Sequence, residues 1–360
     1  MKSYTKNRCR EKSILRTISY KLLSFQTFLM LLQSAIMTVL VLPALFSCTK
    51  AEFEIEKSDS QVRTTMKVSG KPASATQIDV FTFNSGVTGY LDSYQRHEHF
   101  YGNDLQIRSQ SGSKYIFICV NGQKEKLEWA GISSRASLDD IYIDLKRERR
   151  DALCSTGEVS VVAGDEAMHQ MELRNMASEV VLNTIRCDFT GKGYEGETIT
   201  DVKVYLTNVN CRCRITDDGD VIPLDIINTG GLDHEEISDF AEPDLIYQEM
   251  DEDIGSRMIS AGLSFICYPN ACPSESPGTP FTRLVIEGKI NGERYWWPVD
   301  INRDAGTARP GIHRNMKYIF DIVITRKGSS DPDTVLKTDA VKSNLRIKPW
   351  EEKEKQDVIF

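Results

Sequence analysis

Val62, Thr64, Met66 and Val68 alternate with Arg63, Thr65 and Lys67, and this period of two predicts a β-strand over 62–68. Gly70-Lys71-Pro72 ends it. The pattern then predicts strands over 78–83, 91–100, 105–108, 158–163 and 167–173. Residues 115–120 (YIFICV) form an unbroken apolar run before Asn121-Gly122, the composition of a strand covered on both faces. The strongest helical candidate in this half is 137–145, where Ser137 can cap and Leu138, Ile141 and Leu145 share a face. A second series begins at Asn175, with strands expected over 179–186, 199–210, 263–268, 283–290, 294–301 and 317–325. Asn291-Gly292 is the best hairpin turn in the chain, and Asp218-Gly219 is another. The acidic stretch 230–252, with Pro243 inside it, reads as an exposed excursion. Two extended pieces, 344–350 and 357–360, close the chain. Short strands separated by turns, without strand–helix alternation, predict an all-β chain of two tandem antiparallel β-sandwich domains over 62–173 and 174–343, followed by an extended tail over 344–360.

The N-terminus changes the picture. Residues 28–46 are almost wholly apolar and follow seven bases and one acid. Leu45-Phe46-Ser47-Cys48 looks like the processing box of a bacterial lipoprotein. Residues 1–47 are then a signal peptide, Cys48 carries the lipid, and 48–61 is an acidic tether. Two or more acyl chains anchor a protein stably to a membrane. An uncleaved helix is the other reading, since 19 residues just span a bilayer. The abrupt change to charged residues after Cys48 favours the lipoprotein. Lys50, Glu52, Glu54 and Glu56 resemble the charged signals that send such proteins to the cell surface. Without residues 1–47, 37 bases stand against 51 acids, a net charge of about −14. Such a body has no electrostatic reason to bind nucleic acid.

Candidate chemistry is sparse. Cys119, Cys154, Cys187, Cys211, Cys213, Cys267 and Cys272 are odd in number and scattered, which makes no disulfide framework, although Cys267 and Cys272 flank a turn that a bridge could close. Cys119 reads as a small buried hydrophobe. His97 and His99 fall on one side of a strand without a matching third ligand. No phosphate loop, nucleophile elbow or His-Glu-x-x-His motif is present, so no catalytic residue, metal or cofactor is expected. Tyr295-Trp296-Trp297 raises the alternative of a surface glycan-binding lipoprotein, but strand neighbours face opposite ways, so one tryptophan is expected in the core.

The segments Cys267-Tyr268-Pro269-Asn270, TRLVIEGKING (282–292), YWWPV (295–299) and RNMKYIFDIVITRKG (314–328) resemble the fimbrillin superfamily of Bacteroidales, most of all its FimB-type anchoring subunits. The likeness extends through IDVFTFN (78–84), LDSY (91–94), EVVL (179–182) and IKPW (347–350), and so spans nearly all of the chain after Cys48. It implies two transthyretin-like sandwiches and a subunit of a type V pilus, held to the outer membrane by its lipid and joined to a stalk pilin by strand exchange. Leu345, Ile347 and Trp350, with Val358 and Phe360, make a tail suited to donation, although the same residues could complete their own sheet. Stalk subunits of the family lose their first strand to a protease that cuts after a basic residue. Arg63 is the candidate here, but it lies at the start of the predicted first strand, which favours a base subunit over a stalk or tip pilin. The alternative is that 53–56 is the removable strand with Arg63 beyond it, which suits a stalk subunit.

Overall fold

The computed structural model describes residues 61–70, 75, 77–98, 100, 102–124, 128–217, 222–303, 307–334, 336 and 340–350. In the first half, β1 (Gln61–Ser69), β2 (Gln77–Asn84), β3 (Leu91–Glu98), β4 (Asp104–Gln110) and β5 (Gly112–Val120) follow in chain order. The short β6 (Tyr142–Asp144) precedes β7 (Ser155–Ala163), β8 (Met168–Glu172) and β9 (Arg174–Asn175). They form a five-stranded sheet ordered β3-β2-β5-β7-β9 and a three-stranded sheet ordered β4-β1-β8.

β2 and β5 are buried over most of their lengths because both of their faces are covered. On one face Ile78, Val80, Ile116, Ile118 and Val120 meet Met66, Val68, Leu105 and Ile107 of the facing sheet. On the other, Phe81, Phe83, Phe117 and Cys119 join Trp129, Leu138 and Ile143 in a core that continues into the second half.

That half contains β10 (Ser178–Cys187), β11 (Thr200–Thr207), β12 (Val209–Asn210), β13 (Arg212–Arg214) and β14 (Ile226–Ile227). It continues with β15 (Tyr247–Glu249), β16 (Ile259–Cys267), β17 (Arg283–Ile290), β18 (Glu293–Asp300), β19 (Met316–Ile324) and β20 (Val341–Pro349). Its main sheets run β16-β10-β19-β20 and β15-β11-β17-β18, while β12 pairs with β14 and β13 with β6. Asn291 and Gly292 both have positive φ, 53° and 81°, the left-handed pair that a two-residue turn between twisted strands requires. They join β17 to β18.

The second half repeats the topology of the first in chain order. β1 lies between β4, antiparallel, and β8, parallel. β10 lies likewise between β16, antiparallel, and β19, parallel. The opposite sheets, β3-β2-β5-β7 and β15-β11-β17-β18, correspond strand by strand. Most pairings are antiparallel, as the alternation predicts. The two parallel pairs, β1 with β8 and β10 with β19, come from the first and last strands of the repeated series lying side by side, with β9 and β20 outside the repeat. β20 breaks the repeat. It flanks β19, and among the described residues no strand takes the matching place beside β8.

Two sequence expectations need correction, and one open alternative is decided. Residues 137–145 are not one helix: a 3-10 segment spans Arg135–Asp140, and Tyr142–Asp144 then pairs with β13. Leu138, Ile143 and Leu145 are all buried, but in a 3-10 turn followed by extended chain, so helical spacing misled. Residues 230–252 are not a free excursion. They include the α-helix α1 (His234–Ser238), capped by Asp233, and bury Ile237, Phe240, Leu245 and Ile246. Cys267 and Cys272 carry free, buried thiols and are not bridged. The expected turn at Asp218-Gly219 and the strand at 357–360 lie outside the described residues.

Candidate functional site: two strand edges and an arginine cleft

β20 is paired with β19 over nine residues, from Met316 opposite Pro349 to Ile324 opposite Val341. It is the outermost strand of its sheet and is shallowly seated. Val341, Leu345 and Trp350 lean on the core, but Ile347 is 41% exposed. The Trp350 amide donates to the Asn315 carbonyl at 3.0 Å and fixes the end of the strand. Arg346 reaches Asp321 at 3.3 Å, and Asp321 also accepts from Asn183 and Thr184 at 2.6 and 2.8 Å. Burial pushes the Asp321 carboxyl up, but these donors and Arg346 hold it below its ordinary value. Of the proposed exchange residues, Leu345, Ile347 and Trp350 thus lie in or beside the chain's own sheet. Val358, Phe360 and Cys48 lie outside the described residues.

Arg63 sits within β1, opposite Arg108 of β4. Its side chain is exposed, and its backbone is held in the ladder with β4 alone, since the pairing of β1 with β8 begins at Thr65. Met66 and Val68, farther along β1, are fully buried.

Below the end of β20, Glu172, Arg174, Arg309, His313, Arg314, Asn315, Met316 and Pro349 line a cleft of about 500 Å³. Arg314 is committed structurally: it donates to the carbonyls of Arg174, Asn175 and Asp217 and to the Thr156 hydroxyl. Its fork ties β9 to the segment leading into β19. Sequence reasoning passed over this cleft. Arg309, His313 and Arg314 are close in sequence and could have signalled it, but Arg174 comes from the far end of the first sandwich.

The aromatic triplet is not a platform. Trp297 is fully buried and donates from Nε1 to the Arg326 carbonyl at 2.9 Å, which meets the expectation that one tryptophan is core. Trp296 faces the other way and donates to Glu287 at 3.1 Å, while its backbone bridges to Ser329. On that outer face Arg283 is almost wholly buried. It meets Glu275 through two 2.7 Å bonds, Asp300 at 2.8 Å and Asp333 at 2.7 Å.

One buried acid joins the two halves. Glu148 accepts from the Tyr268 hydroxyl at 2.8 Å and from the Cys154 amide at 3.1 Å. Burial pushes its carboxyl up to about 8, against these hydrogen bonds, which pull it down. A carboxyl raised on folding stabilises the protein fully below its unfolded pKa near 4.5, and that contribution is lost as pH rises towards 8. Glu148→Gln should therefore match the parent near pH 4.5 and gain on it by about 1.4 kcal/mol per pH unit up to pH 8. Denaturant unfolding of both proteins at pH 5, 6.5 and 8 measures this; a difference that stays constant across the range contradicts it.

No protein-family model matches the sequence, and no curated protein is similar to it. Solved structures do share its fold. A fimbrilin, FimA, from Porphyromonas gingivalis aligns with a TM-score of 0.57 at 12% identity, over 81% of this chain and 97% of that one. A candidate cell adhesion protein from Bacteroides eggerthii aligns at 0.61 with 17% identity, over 81% and 96%. A tip fimbrial protein from Porphyromonas gingivalis aligns at 0.51 with 10% identity, over 81% and 99%. The chain thus has the all-β fold of these fimbrial and adhesion proteins across nearly their whole lengths.

Proposed function

We propose that this chain is a structural subunit of a cell-surface pilus, and within it the lipid-anchored base that joins a stalk pilin. The fold shared with fimbrial proteins supports the pilus assignment. The observation that carries the base reading is the position of β1. It fills the middle of its own sheet, between β4 and β8, with Met66 and Val68 in the core. A subunit that accepts a strand from a neighbour must leave such a place vacant, because an incomplete sandwich exposes unpaired N–H and C=O groups along an apolar groove. This chain fills the place itself. A base has no use for that acceptor groove, but it needs a membrane attachment, which lipid on Cys48 supplies at the outer membrane. It also needs a strand to give. β20 and the tail beyond it, with Leu345, Ile347, Trp350, Val358 and Phe360, are suited to that role, because an edge strand with exposed side chains leaves its sheet at lower cost than a central one.

The test is the N-terminus of the protein recovered from purified pili. Mass spectrometry should find it starting at acylated Cys48. A start at Thr64 would mean that Cys48 and the beginning of β1 are removed, and would overturn the base reading.

A further inference from the structure

The thiols of the described residues are all buried, and several of them are spent on oxygen. Cys187 donates to the Glu197 and Ile254 carbonyls, Cys211 to the Asp144 carboxylate and Cys213 to that of Asp217. Cys119 and Cys154 meet each other instead. Their Sγ atoms are 3.8 Å apart, and both residues are fully buried in the core that continues into the second half.

The sheet sets this contact. In the ladder between β5 and β7, Cys119 lies opposite Thr156 and Val120 opposite Ser155. Residue 154 is one step beyond the ladder, so alternation turns its side chain to the side that Thr156 and Cys119 share. The two sulfurs approach diagonally across neighbouring chains. Rotation about the Cα–Cβ bonds is what separates their contact from the about 2.05 Å of a sulfur–sulfur bond.

Between the two cysteines runs a stretch short of regular pairing. It consists largely of 3-10 turns at Glu128–Gly131, Arg135–Asp140 and Leu145–Arg147, with the three residues of β6 among them. The same stretch makes the joint with the second half, since β6 pairs with β13 and Glu148 accepts from Tyr268. A covalent link between its ends restricts what the unfolded chain can explore, which is the main stabilising effect of closing such a loop.

We propose that Cys119 and Cys154 form a disulfide site, joined during folding by a disulfide-bearing oxidant, and that the bond staples the segment joining the two halves. One thiol gives up its proton and attacks the oxidant's disulfide. A mixed disulfide forms, and the expelled thiolate takes up a proton. The second thiol, deprotonated in turn, attacks the cysteine sulfur of the mixed disulfide. The Cys119–Cys154 bond forms and the oxidant leaves as a second thiol, so two protons and two electrons have passed to it. Attack needs a thiolate and an open approach. In the closed core, the hydrogen bond to Cys119 and burial hold the Cys154 thiol well above its ordinary range, so the exchange belongs to the chain before that core closes. Burial then shelters the bond from reductants. The assignment goes beyond the pilus reading and is tested on this chain alone, so either can fail without the other.

The full chain, reduced and denatured, is refolded in a mixture of reduced and oxidised glutathione. Remaining thiols are alkylated in denaturant, and peptides are mapped by mass spectrometry without reduction. Most molecules should carry one peptide pair joined through Cys119 and Cys154, with Cys187, Cys211, Cys213, Cys267 and Cys272 alkylated. Alkylation of Cys119 and Cys154 in most molecules, or their capture in other pairings, overturns the proposal. Cys154→Ala gives a second readout. Against the oxidised parent it should raise the unfolding constant by about a hundredfold, and with dithiothreitol throughout the denaturant series the gap should shrink to less than about tenfold. A gap of the same size with and without the reductant also overturns the proposal, because packing and not a bond has then been lost.

Discussion

Replacing Arg283 by methionine is expected to cost about 3–5 kcal/mol, because breaking a buried ion pair strands its partners. The guanidinium is 2% exposed and holds three carboxylates at 2.7–2.8 Å, those of Glu275, Asp300 and Asp333. These acids come from three different stretches: the loop before β17, the end of β18 and the loop after β19. One planar fork therefore closes the outer face of the sheet that contains β17 and β18. Methionine fills much of the volume but leaves three negative charges around an apolar chain without their cation, although Glu275 keeps the Phe281 amide and Asp333 the Asn208 side-chain amide as donors. Arg283→Lys keeps the charge but cannot address three acceptors from one point, so it should recover only part of the loss. Denaturant unfolding of the parent and both variants should rank them in the order Arg, Lys, Met. A methionine variant within about 1 kcal/mol of the parent would show that the three carboxylates relax into water and that the node is not structural.

The sequence shows this node poorly. Arg283 opens a strand whose alternation is legible, and an arginine there reads as an outward-facing residue. Its burial depends on loops that arrive from far along the chain. The same physics separates what was readable from what was not. β1, β2 and β5 could be placed because alternation, or its loss in a doubly covered strand, is a local consequence of which faces are wet. The 230–252 stretch could not, because Ile237, Phe240, Leu245 and Ile246 follow no period and their burial depends on a surface elsewhere. The 137–145 pattern fails for a related reason. Buried residues at helical spacing are also produced by a 3-10 turn followed by extended chain, and the pairing of Tyr142–Asp144 with β13 decides between them.

Partner choice is the part of the fold that period-two patterns leave open. The alternation over 344–350 says that a strand is present, and says the same whether that strand pairs at home or in another subunit. The structure places β20 on β19. Even so, the outermost position and the exposure of Ile347 leave it the most easily detached long strand of its sheet. Arg63 was legible as a basic residue near the start of a strand. That its backbone is held in a ladder with β4 was not.

Deleting residues 61–69 should unfold the first sandwich as a unit. Among the described residues β1 is the only strand that joins β4 and β8, so its loss leaves both without a partner in their sheet. It also removes Met66 and Val68 from the core, and burying such side chains contributes about 1.5–3 kcal/mol each. Adding the net worth of the ladder hydrogen bonds, about 1 kcal/mol each, brings the total to on the order of 10 kcal/mol, comparable to the whole stability of a domain. Exchange protection should therefore vanish at Leu105, Ile107 and Met171 but survive in β17 and β19. A cut after Arg63 is a different event. It removes three residues of β1 and leaves Thr64 to Ser69 paired, with both buried side chains in place. Such a cut would separate everything before Thr64 from the fold without opening a groove. Chain clipped at Arg63 in vitro should thus keep its protection at Leu105, Ile107 and Met171. If clipping instead exposes those amides as fully as the nine-residue deletion does, Arg63 marks a removable strand and the chain is built to receive a neighbour.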